Sequence, residues 1–193
     1  AEKGKFPTYS VGAQLDVGVA DGVTLTYIPS YFYLHNRTFY WLGSIRSGPY
    51  ISHYSQTNHE LRLSGDAGPL KWLVGLNGYT GTTRGSYDIF IGTTALGTSF
   101  GLPSFLPQSS VSRLRNKGAA IFGETTYSLS DTLRLTAGGR YSYTHKKALG
   151  NSLPEGVLVA LGVIPGPVPQ YTFKRSFKHF DYKLGVEYDI ADR

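Results

Sequence analysis

Apolar and polar side chains alternate one for one along most of the chain. The alternation is clearest between Lys117 and Lys147, where the short polar segment Ser130-Asp131-Thr132 divides it in two. In the first half Ile121, Tyr127 and Leu129 share one parity, and Glu124, Thr126 and Ser128 the other. In the second, Leu133, Leu135, Ala137, Tyr141 and Tyr143 lie opposite Arg134, Thr136, Arg140, Ser142 and Thr144. A period of two gives strands with one apolar and one polar face. A few polar residues between two such strands give a hairpin.

The faces set the register, because a slip of one residue would turn every side chain over. A loop of Ser130, Asp131 and Thr132 pairs Leu129 with Leu133, Tyr127 with Leu135 and Ile121 with Tyr141. Glu124 and Arg140 then stand diagonally on the polar face, within reach of each other. The apolar face is banded. Tyr127 lies near the turn, small and aliphatic residues fill the middle, and Tyr141 and Tyr143 lie toward the far end. Arg115, Lys117 and Lys147 continue beyond them. A strand crossing a bilayer meets aromatic, aliphatic, aromatic and charged side chains in that order. A soluble β-sandwich also uses hairpins with one apolar face, so this hairpin alone leaves both readings open.

The same period predicts strands over Tyr9–Val19, Val23–Tyr40, His53–Ser64, Leu70–Tyr87 and Arg175–Ile190. With the central hairpin that makes about seven. Pro29 removes a ladder donor and predicts a bulge or local bend in the second strand. Short turns carry Asp: Ala20-Asp21-Gly22, Asp66 with Gly68, Ser130-Asp131, and Ala191-Asp192 at the C-terminal end. Long connections are expected at Trp41–Ser52, Asp88–Ser112 and Ala148–Thr172. Short and long therefore alternate strictly, which puts every long connection at one end. Outer-membrane barrels do this, with short periplasmic turns and long extracellular loops. The strands, at about 12–17 residues, exceed the ~5–6 usual in soluble sheets. The expected fold is all-β: an antiparallel up-and-down transmembrane β-barrel segment.

Composition agrees. Of 193 residues 40% are hydrophobic and 17% charged, with 24 Gly and 15 Tyr. No apolar run approaches the ~20 residues of a membrane helix. The run from Gly156 to Gly162 is apolar but far too short, and reads as a loop helix or an extra strand. Cysteine is absent, which excludes a disulfide framework and thiolate zinc sites. Methionine is absent too, so residues 1–193 read as an excerpt of a longer protein, and the want of a signal peptide at residue 1 says nothing about export. The net charge of +6 raises nucleic acid as a partner. The cations are spread along alternating strands, with no basic helix or finger motif, which argues against it.

Phe122 to Tyr141 (FGETTYSLSDTLRLTAGGRY) resembles the barrel signature of TonB-dependent outer-membrane receptors. His59-Glu60-Leu61-Arg62-Leu63-Ser64-Gly65 is similar to that family's E-x-R-L-x-S segment, and Asp181 to Tyr188 to a later strand. The resemblance covers most of the chain from about residue 53 and keeps the family's order. It implies a barrel of ~22 strands with a plug in its lumen. It also implies uptake of an iron chelate, cobalamin or glycan, energised by the inner-membrane TonB complex. Against that pattern the chain lacks the TonB-contacting segment, the plug and the closing strand. It is therefore expected to be a middle portion of the barrel, with two open edges that would make it aggregate or misfold alone.

The residues suggest binding surfaces and no enzyme. There is no nucleophile elbow, P-loop or dinucleotide fingerprint. His35, His53, His59, His145 and His179 lack metal-pair spacing and read as polar strand or loop residues, so neither a metal nor another cofactor is expected. Glu60, Glu124, Asp181 and Glu187 are expected to pair with Arg62, Arg134, Arg140 and Lys183 along the lumen wall. Arg113, Arg115, Lys117, Lys147, Lys174 and Lys178 share the lipid-facing parity just beyond the outer aromatics. Held together there, they suit the phosphates of lipopolysaccharide, although ordinary solvated charge at strand ends is the plainer reading. Tyr87, Phe90, Phe100 and Phe105, in or near the second long connection, are candidates to stack on a ligand or to pack the loop on itself. Two other classes stay open: a passive outer-membrane porin, and a soluble carbohydrate-binding β-sandwich.

Overall fold

The structure, a computed structural model, describes residues 6–38, 41–42, 45–47, 50–90, 107–154 and 168–190. They form strands and turns: β1 (Thr8–Gly12), β2 (Leu15–Ala20), β3 (Val23–Thr38), β4 (Trp41–Leu42), β5 (Ile45–Ser47), β6 (Tyr50–Ala67), β7 (Leu70–Phe90), β8 (Pro107–Ser128), β9 (Leu133–Pro154) and β10 (Val168–Tyr188). All belong to one antiparallel sheet in the order β1-β3-β6-β7-β8-β9-β10, with β2 beside β3. Each long strand lies next to its neighbour in sequence, the up-and-down order that alternating short turns produce.

The central hairpin has the expected register. Tyr127 faces Leu135 and Ile121 faces Tyr141, and the Leu129 N–H donates to the Leu133 carbonyl at 2.9 Å. Two other expectations are corrected. The strands are longer: β8 and β9 each run 22 residues, β7 and β10 each 21. They take up much of what reads in sequence as connection, and β4 and β5 form a small hairpin inside the first. The apolar run 156–162 lies outside the described residues. Pro29 acts on its neighbour rather than on its own strand. β3 passes it unbroken against β6, with Pro29 facing His59. Across from it the first expected strand divides into β1 and β2. Ala13 donates to the Pro29 carbonyl at 3.1 Å, but Pro29 has no N–H to return. Pairing then resumes in the same register, from Gly12–Ser30 to Leu15–Tyr27.

Two of the short turns depend on glycine. Gly22 and Gly68 have φ of 67° and 64°, in the left-handed region that costs other L-residues. Gly68-Pro69 joins β6 to β7, and positive φ at its first position fits a type II′ hairpin.

Because partners face each other directly, apolar rows run across the sheet. Val17, Leu25, Leu63 and Val74 form one row. Leu61, Leu76, Ile121, Tyr141 and Phe180 form the next. No second layer covers them. Tyr182 and Leu184 are each 77% exposed and Leu135 40%. Among the described residues the one buried hydrophobic is Ala120. A soluble protein does not present such a face to water, so the sandwich reading has no core to stand on. On β9 the band from Leu133 to Tyr143 covers about 34 Å of strand. At a tilt of about 40° that is about 26 Å of height, the apolar belt of a membrane barrel.

Gly22 and Gly18 lie in the same hairpin and separate turn geometry from crowding. A Cβ on Gly22 would sit 2.8 Å from the Asp66 carbonyl oxygen, whereas one on Gly18 meets nothing within 4 Å. Gly22→Val is expected to destabilise the refolded full-length barrel by about 1–2 kcal/mol. Gly18→Val is expected to change it little, and urea unfolding in lipid vesicles compares the two.

Candidate functional site

The polar face carries two zones. Toward the short turns it is charged. Glu60 and Arg62 are bonded to each other on β6. Arg134 Nε donates to Glu187 at 3.2 Å, and its Nη1 and Nη2 donate to Asp189 at 3.0 and 2.8 Å. Asp181 is engaged by His179 at 2.8 Å. The expected acid–base pairing of this wall is present for Glu60 with Arg62 and for Glu187 with Arg134, whereas Asp181 takes His179 and Arg140 takes no described acid. Glu124 and Arg140 do not pair. Glu124 instead accepts from Lys183 Nζ at 3.1 Å, two strands away. Gly138 lies between them, facing both, and its missing side chain leaves the gap that Lys183 crosses. Arg140 donates to Ser142 and lies over the Phe122 ring, 5.4 Å from its centre. Phe122, Leu73, Arg62, Asp181 and the Glu124–Lys183 pair line a shallow hollow of about 430 Å³.

Toward the long connections the polar face becomes aromatic. Tyr79 lies over Gly118 and reaches Thr144 on the next strand at 3.3 Å. Tyr171 lies over Gly150 in the same manner. Phe32 and Tyr54 have ring centres 5.8 Å apart. Two cations lie against the Phe177 ring, with Lys146 Nζ 5.5 Å and the Arg175 guanidinium 5.2 Å from its centre. None of these was among the aromatics singled out from sequence. Of those, Tyr87 and Phe90 belong to β7, where they pair with Ser110 and Pro107. Phe100 and Phe105 lie outside the described residues.

The histidines are engaged in the sheet. His59 bonds the Tyr27 hydroxyl at 2.7 Å, His53 the Tyr33 hydroxyl at 3.0 Å and His35 at 3.1 Å, and His145 Ser176 at 2.9 Å. Among the described residues no group of three or more His, Asp or Glu could hold a metal.

The cations marked for the apolar face gather at one end of it. Arg115 faces Lys147, which faces Lys174. Arg113 faces Arg84, a cation that sequence reasoning did not include. Lys117 faces His145, and Lys178 faces Tyr143.

A one-layer antiparallel sheet, apolar on one face and polar on the other, with every long connection at one end, is the wall of a transmembrane β-barrel. The chain belongs to the TonB dependent receptor-like β-barrel family, whose model matches residues 3–193. That is a family of outer-membrane receptors and transporters. The fold is similar to that of the ferric yersiniabactin uptake receptor FyuA from Yersinia pestis, with a TM-score of 0.73 and 16% identity. That match covers 97% of this chain and 26% of FyuA. The siderophore receptor PiuA from Acinetobacter baumannii gives a TM-score of 0.69 at 14% identity, covering 97% of this chain and 31% of PiuA. The RagAB peptide transporter gives 0.59 at 13%, covering 95% and 26%. The chain thus spans between a quarter and a third of the length of these structures. No protein of curated function matches its sequence.

The polar face allows two tests. The Glu124–Lys183 side chains are 45% and 62% exposed, so a double-mutant cycle with Glu124→Gln and Lys183→Gln should give a coupling below about 1 kcal/mol. Gly138→Leu should abolish even that by filling the gap between them. Asp189 lies past the end of β10, and its bonds from Arg134 hold its carboxyl below the usual carboxylate range. A lowered folded-state pKa gives stability that is present above the unfolded value of about 3.9 and lost as pH falls through the folded value. Asp189→Asn is therefore expected to flatten the acid limb of a stability–pH profile, read by urea unfolding of the refolded full-length barrel between about pH 2 and pH 6.

Proposed function

We propose that these strands are part of an outer-membrane receptor that takes up an iron chelate, energised through the TonB complex. The observation that carries this reading is the family match over residues 3–193. The chemistry of the polar face narrows the cargo. Lys146 and Arg175, which face each other beside Phe177, suit a ligand with negative charge and a flat conjugated group. Ferric complexes of aromatic or carboxylate chelators have both. A neutral glycan or cobalamin would make less use of the two cations. The names of two similar structures, a ferric yersiniabactin receptor and a siderophore receptor, agree with an iron chelate. The third is a peptide transporter, so the fold alone does not choose the cargo. The lower charged zone would face the plug, and the TonB complex would be engaged outside the strands described.

Uptake of radiolabelled ferric chelates by iron-starved cells tests the proposal, comparing the full-length gene, its deletion, and complementation with Lys146→Ala/Arg175→Ala. Deletion should abolish uptake of one chelate, and a protonophore should do the same to the intact strain. The double variant should raise the half-saturating concentration about tenfold, on the scale of two charge-assisted contacts. Uptake that survives the protonophore would mark a passive porin instead.

A further inference from the structure

On the apolar face every described Lys and Arg stands toward the long connections. The rows at the short-turn end hold Val23, Leu70, Trp72, Tyr127, Leu133, Leu135, Val186 and Tyr188, and no cation. At the other end Arg115, Lys147 and Lys174 face one another across three strands. Arg84 and Arg113 stand on the next row out, and Lys117 and Lys178 on the rows toward the band. No described Asp or Glu side chain lies on these rows, and none of the seven cations is in an ion pair with a described residue. The Arg113 Nε is shielded from water and has no hydrogen-bond partner. Direct cross-strand neighbours have Cβ atoms about 5 Å apart, and like charges in that arrangement repel. Toward the short turns the polar face of the same sheet pairs cations with acids, a counter-charge that no described side chain supplies to this patch.

Its height says where a counter-charge would come from. Lys178 is level with Tyr143, in the aromatic girdle. Lys147 lies four residues beyond Tyr143 on β9, about 14 Å along the strand, or about 10 Å higher at barrel tilt. That interval spans the headgroup layer above the hydrocarbon. Lys side chains at such depths extend their amines toward the headgroups. The end with long connections is the outer one in these barrels. We propose that Arg84, Arg113, Arg115, Lys117, Lys147, Lys174 and Lys178 form a site on the outer wall for the phosphate groups of a glycolipid of the outer leaflet, lipopolysaccharide. Rows of cations on rigid, hydrogen-bonded strands hold several donors at once against phosphate oxygens. The acyl chains of the same lipid would lie along Ile121, Tyr141, Phe180 and Tyr182. The site fixes one lipid at a chosen place on the wall, on the side opposite the cation–aromatic cluster of Lys146, Arg175 and Phe177.

This inference rests on the outer-membrane placement, and its test separates the two. The full-length receptor is purified from outer membranes as the parent, as Arg115→Ser/Lys147→Ser/Lys174→Ser, and as the control Lys146→Ser/Arg175→Ser. The control removes charge at the same height from the opposite face. Lipopolysaccharide per protein is measured by mass spectrometry of its 3-hydroxy fatty acids, and folding by heat-shifted electrophoretic mobility. The triple variant is expected to retain about tenfold less lipid, on the scale of three exposed charge-assisted contacts. The control should stay within about twofold of the parent. Inorganic phosphate at millimolar concentration should displace little, because the acyl chains also hold the lipid. Equal retention by the parent and the triple variant overturns the site, as does an equal fall in both variants, which would mean bulk charge only. Complete displacement by free phosphate overturns the assignment to a lipid. Where the triple variant does not fold, Lys174→Glu at an exposed position replaces it, with the same expected direction. Failure of the parent to reach the outer membrane would refute the receptor reading instead.

Discussion

A sheet one layer thick has no interior, and the rest of this structure follows from that constraint. Its backbone groups are satisfied laterally, by ladders such as the unbroken pairing of β7 with β8 from Leu70–Tyr127 to Phe90–Pro107. Its side chains are satisfied only by what lies against each face. With Ala120 the one buried hydrophobic among the described residues, intramolecular packing does not account for stability. The apolar rows need hydrocarbon, and in hydrocarbon every N–H and C=O must be paired within the protein. Long, regular, closely registered strands meet both demands.

The polar face solves a different problem. Side chains there stand in rows that are too far apart to meet across two strands unless the strand between yields space. Gly138 yields it to Lys183 and Glu124, and Gly118 to Tyr79 and Thr144. The result is a wall whose charges are neutralised locally near the short turns and whose aromatic and cationic groups stay open near the long connections. The first zone leaves little net charge facing inward, while the second leaves Lys146 and Arg175 available beside Phe177.

Much of this was legible in the alternation. Leu129 and Leu133 set the register of β8 on β9, since only one register puts apolar beside apolar. The strand ends were not legible. Ser109, Ser110 and Ser112 in β8, and Asn151 to Pro154 in β9, carry turn-like chemistry and no alternation. Above the bilayer both faces of a strand meet water, so the period of two has nothing to record. Pro107 at the start of β8 is permitted where no ladder donor is required. The Glu124–Lys183 pair was out of reach for another reason: it joins residues on β8 and β10, and adjacency to β9 had to be known before Gly138 could be seen as a gap. The cations were placed by parity alone, and parity survives because no bulge interrupts β8 against β9.

The segment from Tyr171 to Lys178 shows why register matters to function as well as to stability. Tyr171, Phe173, Arg175 and Phe177 share the polar face, whereas Lys174 and Lys178 share the apolar one. Read as a linear string it is simply basic and aromatic. Folded, it is two surfaces with different solvents, one suited to a soluble anion and one suited to a lipid phosphate. A shift of one residue against β9 would exchange them, moving Lys174 inward and setting Phe173 and Arg175 against the membrane. Pairing from Tyr171–Gly150 through Tyr188–Leu133 without interruption resists that exchange, because any slip in the upper strand must carry the apolar band from Phe180 to Tyr188 with it. The hydrophobic belt lower down therefore holds in place the chemistry above it.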